Sequence, residues 1–127
     1  MNDELIIKKC LKCGAIVKVL QDCKCNDCDI MCCNEEMQTL KTNSTDAAVE
    51  KHVPTYEIEN DTLKVRVNHV MDEEHYIEWI CLKTERIEEY VHFKPGEEAV
   101  AVFKNVSSGT LYAYCNKHGL WNTTINK

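Results

Sequence analysis

Apolar and polar positions alternate through much of the second half of the chain. Residues 63–69 run Leu-Lys-Val-Arg-Val-Asn-His, with the apolar side chains and His69 on one parity; that period of two predicts a half-buried strand. Residues 76–82 predict a second strand, apolar in part on both faces. Residues 99–103 and 110–115 predict a third and a fourth. Turn-forming residues separate them: Asn60-Asp61, residues 71–74, Lys94-Pro95-Gly96 and Ser107-Ser108-Gly109. No segment carries a long 3.6-residue period. Short strands at this spacing predict an all-β, antiparallel sandwich.

The first part of the chain reads differently. Residues 1–37 carry few large apolar side chains, mainly Leu5, Ile6, Ile7, Ile16, Val17, Val19 and Leu20. Two short strands are predicted, near 5–9 and 15–20. A module this small buries too little to hold itself together and needs a cross-link. Residues 38–50, with a polar Thr-Asn-Ser-Thr-Asp centre, read as a linker. The expected organisation is a Cys-rich module over 1–37, the linker, and a β-domain over 51–127.

Composition narrows the possible functions. The 127 residues are 44% hydrophobic and 28% charged, with a net charge of −6. An acidic chain argues against general nucleic-acid binding. No apolar run is long enough to span a bilayer. The first ten residues have no signal-like apolar region, which predicts a cytoplasmic protein. Seven of the nine cysteines lie between Cys10 and Cys33. In a reducing compartment such a cluster points to metal binding before disulfides.

Cys10-Leu11-Lys12-Cys13-Gly14 is a metal knuckle, two thiols three positions apart ahead of a glycine. Its second half is expected at Cys32-Cys33. Neighbours on an extended strand face opposite ways, so the chain must kink there; Asn34 tolerates the left-handed conformation that a kink needs. Cys23, Cys25 and Cys28 offer an alternative set of Cys10, Cys13, Cys25 and Cys28. Four thiolates in a tetrahedral cage suit zinc or a single iron, and a stabilising zinc without redox work is the plainer reading.

A second constellation uses histidine. His52 precedes Val53-Pro54; His69 and His75 flank one turn; Cys115 and His118 share a Cys-x-x-His at a strand end. One such histidine means little, but three loops each delivering His or Cys can converge at one end of a sandwich. His92 belongs to none of these loops and reads as a strand or surface residue. Cys81 reads as a small buried apolar residue. A blue-copper carrier also has a late Cys-x-x-His, but it adds a methionine soon after, absent from residues 119–127, and needs only two histidines. A non-catalytic zinc or iron module is a further alternative.

Glu50-Lys51-His52, His69 with His75, and residues 115–121 (Cys-Asn-Lys-His-Gly-Leu-Trp) together resemble the active-site motifs of superoxide reductases. Cys10-x-x-Cys13-Gly14 with Cys32-Cys33 and Met37 resembles the desulforedoxin-like domain of the two-iron members, the desulfoferrodoxins. The resemblance spans essentially the whole chain. It implies an immunoglobulin-like β-sandwich, a homodimer, and a catalytic iron with His52, His69, His75 and His118 as equatorial ligands and Cys115 as the axial thiolate. It implies a second iron, or zinc, on Cys10, Cys13, Cys32 and Cys33. Lys51 would attract superoxide, Glu50 would take the vacated position after peroxide leaves, and a rubredoxin-like donor would return the electron. The chain departs from the family pattern at Asn34, where glycine is usual, and in carrying Cys23, Cys25 and Cys28.

Overall fold

The computed structural model describes residues 5–25, 29–44 and 48–125. The chain divides into two compact units, Met1–Leu40 and Lys41–Lys127. Strands dominate both, and no α-helix occurs among the described residues. Correspondingly, none of these residues forms a helix long and apolar enough to cross a membrane.

The first unit is built around β1 (Ile7–Lys9), flanked antiparallel by β2 (Ile16–Lys18) and β5 (Gln38–Thr39). Its core is small: Leu5, Ile7, Cys10 and Met37. β5 lies in the stretch read from sequence as linker. Both of its residues are exposed, so it shows no apolar alternation, and it pairs with β1 through its backbone. β3 (Met31–Cys32) and β4 (Glu35–Glu36) form a hairpin joined by only two residues, Cys33 and Asn34. Both have positive φ, +54° and +62°. Two left-handed residues in a two-residue loop match the right-handed twist of the flanking strands. That turn is the kink the adjacent cysteines require.

The second unit is a sandwich of two antiparallel sheets. One has the order β10-β7-β6, made of β6 (Thr55–Glu59), β7 (Thr62–Arg66) and β10 (Val100–Lys104). The other has the order β12-β11-β8-β9, made of β8 (Ile77–Lys83), β9 (Glu88–His92), β11 (Gly109–Cys115) and β12 (Gly119–Ile125). β7 alternates exposed and buried along its length, sending Leu63 and Val65 inward. They pack with Ala101, Phe103, Ile80, Leu82, Leu111, Ala113 and Ile125 between the sheets. β8 and β11 are buried on their second face too, where Trp79 stacks on Tyr114 with ring centres 5.6 Å apart. Cys81 is fully buried on β8, and His92 is exposed on β9.

One irregularity sets the position of the site. β11 opposes β8 residue for residue as far as Tyr114↔Trp79, but Cys115 then opposes Ile77, skipping Glu78. An extra residue in one strand ends the regular ladder and re-aims the chain. Cys115 stays in the core while the segments around it are released to form turns.

Candidate metal centres

At one end of the sandwich each histidine arrives on a short turn. A 3-10 helix, Val49–Lys51, leads into His52. The following segment is tied to β12, where the Thr123 hydroxyl donates to the Pro54 carbonyl at 2.7 Å. The His52 ring is buried, stacked on Trp121 with centres 4.9 Å apart, and its Nδ1 lies 2.7 Å from the Ala48 carbonyl. Only a protonated Nδ1 can bond a carbonyl, so Nε2 keeps its lone pair. His69 lies beyond the end of β7, on a turn in which its N–H donates to the Val67 carbonyl; its Nδ1 bonds the Val70 carbonyl, and Nε2 again keeps its lone pair. His75 closes a tight turn with Asp72, the two exchanging backbone hydrogen bonds. His118 lies in the turn between β11 and β12. Gly119, at φ +84°, closes that turn in a conformation glycine adopts without strain.

These turns bring five donor atoms together. His52 Nε2 is 3.0 Å from His118 Nδ1, and His75 Nε2 is 3.3 Å from the same atom. Cys115 Sγ is 3.5 Å from His69 Nε2 and 3.9 Å from His118 Nδ1. All five atoms lie within 4.8 Å of one another. The rings stand edge to face in the cyclic order 52–69–75–118, with centres 4.6 to 4.9 Å apart. Two nitrogens each about 2.1 Å from a common ion, at right angles, would be about 3.0 Å apart, so the donor spacing fits one transition-metal ion. Burial, the largest cause, pulls His69 below the ordinary histidine pKa of 6.5; the Val70 bond partly offsets this. His75 is lowered by burial first and then by His118 and Lys117. Both shifts favour the neutral imidazole that binds metals.

Glu50 and Lys51 stand exposed on the 3-10 helix directly before His52, outside the group of five donors. The residues around the donors carried no metal-ligand signal in the sequence. Trp121 stacks on His52 and donates its indole N–H to the His118 carbonyl at 3.1 Å. Asn116 bonds the turn that carries His75. The Ala48 carbonyl is backbone and left no trace in residue type.

In the first unit the sulfurs of Cys10, Cys13, Cys32 and Cys33 also lie within 4.8 Å of one another. Cys13 and Cys32 sulfurs are 3.6 Å apart, and those of Cys32 and Cys33 are 3.9 Å apart. A tetrahedral ion with bonds of about 2.3 Å needs sulfurs about 3.8 Å apart, and these distances bracket that value. The Cys13 backbone N–H draws the Cys10 thiol down to about 7. Hydrogen bonding, first from Cys13, pushes Cys32 up to about 12, and Cys33 is raised by Cys13 as well. Cys25 is exposed and outside this group, Cys23 is disulfide-bonded, and Cys28 lies outside the described residues.

Comparison with known proteins agrees with this picture. The family model described as Desulfoferrodoxin matches residues 44–124. A desulfoferrodoxin of Clostridium acetobutylicum is 41% identical over 128 residues, covering 98% of this chain and all of that one. A superoxide reductase of Thermococcus kodakarensis is 38% identical over 111 residues, covering 69% of this chain and 95% of its own. Among solved structures, the superoxide reductase from Treponema pallidum superposes with a TM-score of 0.71 at 27% identity, covering 94% of this chain and 98% of that one. With an all-β sandwich in place, relatives matched from end to end and a family model across most of the second unit, this chain belongs to the desulfoferrodoxin family.

Proposed function

We propose that this chain is a superoxide reductase, converting superoxide to hydrogen peroxide by one electron and two protons at an iron held by His52, His69, His75, His118 and Cys115. The observation that carries the reading is the donor set: four imidazole nitrogens from loops and one thiol sulfur from the end of β11, lying within 4.8 Å of one another, with three of the imidazoles only half-buried. Bound iron supplies a one-electron couple and, with five protein donors, retains a coordination position for a small anion.

The residues divide the remaining work. The Ala48 and Val70 carbonyls hold the protons of His52 and His69 on Nδ1, so that Nε2 faces the centre. Cys115, buried in the core, keeps its sulfur from solvent and oxidants. As a thiolate it would donate electron density to a bound iron, which would favour release of the product anion. Lys51 supplies an exposed positive charge beside the site, which steers superoxide against a net charge of −6. Glu50, next to it on the 3-10 helix, would supply a carboxylate to the iron when no substrate is bound. Water supplies the protons.

An external one-electron donor of the rubredoxin type restores the reduced state. Cys10, Cys13, Cys32 and Cys33 hold a second ion, iron or zinc, that stabilises a unit with little core of its own. The assembly is a homodimer, and the reducing cytoplasm is the compartment that suits its thiols.

Protein purified without oxygen and loaded with Fe(II) tests this directly. Mixing with superoxide should oxidise the five-donor site in a fast bimolecular step. A chain that holds zinc alone there, or that leaves the decay of superoxide unchanged, would rule the activity out.

A further inference from the structure

Three of the five donors come from two segments far apart in sequence: Cys115 at the end of β11 with His118 in the turn that follows, and His75 before β8. The ladder between β11 and β8 shifts register at Tyr114/Cys115 and ends at Cys115↔Ile77, so strand pairing stops short of both turns. One residue bridges the gap. The Asn116 side-chain oxygen accepts the Tyr76 N–H at 3.0 Å, and its NH₂ donates to the Glu74 carbonyl at 2.9 Å. Its own backbone N–H donates to the Tyr76 carbonyl at 3.2 Å. These bonds grip the residues immediately before and after His75. Asn116 is itself peptide-bonded to Cys115 and two residues from His118. A carboxamide is suited to the task, offering an acceptor and a donor side by side.

We propose that Asn116 is a positioning residue: it sets the distance between His75 and the Cys115–His118 turn, and through it the geometry of the metal–sulfur bond. The inference rests on the reading that the five donors hold a metal, and not on superoxide being the substrate.

The test uses the full chain with spectroscopically silent zinc on Cys10, Cys13, Cys32 and Cys33 and Co(II) on the five donors, so that the sulfur-to-metal charge-transfer band reports the Cys115 bond alone. In Asn116→Ala the band should move, and Co(II) should pass to a chelator faster by about 10- to 100-fold, the usual effect of losing a partner that orients ligands. Thr84→Ala is the control. The Thr84 hydroxyl accepts the Arg86 and Ile87 N–H groups at 3.3 and 3.2 Å in the turn between β8 and β9, at the opposite end of β8. Its removal also costs the sandwich backbone hydrogen bonds, yet should leave band and release rate unchanged. If Asn116→Ala does not fold, Asn116→Asp keeps the acceptor for Tyr76, loses the donor to Glu74, and gives the same readout. A native band and release rate in the Asn116 variant, or an equal shift in Thr84→Ala, would overturn the proposal. A wild-type chain that shows the Co(II) band but never reduces superoxide as the iron form would fail as a reductase and leave this inference standing.

Discussion

Replacing Trp121 by Phe should weaken both the fold and the metal site. Trp121 is 1% exposed. Its indole N–H satisfies the His118 carbonyl at 3.1 Å, and its ring stacks on His52 at 25° between planes. Phenylalanine keeps an aromatic face and loses the donor. Taking the donor from this part-buried carbonyl costs about 1–3 kcal/mol, and the space left by the smaller ring adds about 1 kcal/mol. The expected loss of stability is therefore about 2–4 kcal/mol, read from urea unfolding of the metal-free chain. Because the same side chain touches two of the donors, part of the loss should reappear in metal affinity. Every 1.4 kcal/mol assigned there raises the dissociation constant about tenfold, measurable by chelator competition. Weaker stability with native affinity would refute the claim that Trp121 orients donors. No change in either quantity would refute the packing argument altogether.

Three further outcomes are expected. Lys51→Ala should slow the bimolecular reaction with superoxide by about tenfold and flatten its dependence on salt; unchanged salt dependence would remove Lys51 as the steering charge. Cys13→Ser should release the metal of the first unit while the reaction with superoxide persists, read by metal analysis beside stopped-flow traces. Acid should destabilise the metal-free chain. His69 and His75 sit below 6.5 when folded, so the unfolded chain takes up protons first as pH falls through 6.5. Stability contributed above that pH is then lost below it, and a urea midpoint that stayed level from about pH 7 to about pH 5 would contradict the burial of these rings.

The parts of the fold that could be read from sequence are those with two-sided or strictly alternating burial. β7, β8, β10 and β11 each show it in their residues. β6 and β9 have no buried position, so their sequences carry little of that signal. β5 carries none, being two polar residues on an edge. The bulge at Cys115 was hidden for a different reason: register depends on the partner strand, and Cys115 itself looks the same with or without it. The donors were legible because imidazoles and thiols are rare enough to stand out at turns. The groups that orient them were not, since a carbonyl at Ala48 or an amide at Asn116 matters only through what the fold brings beside it. At Cys32-Cys33 the need for a kink could be argued from side-chain geometry, whereas the hairpin with two successive left-handed residues could not.

The most direct test of the account is the yield of peroxide from the reduced protein. Iron-loaded chain, reduced and freed of excess reductant, is given less superoxide than sites, and hydrogen peroxide and oxygen are both measured. Reduction at the five-donor centre predicts one peroxide formed and one site oxidised for each superoxide consumed, with no oxygen released. Half that peroxide accompanied by oxygen, or superoxide loss with the sites still reduced, would contradict it.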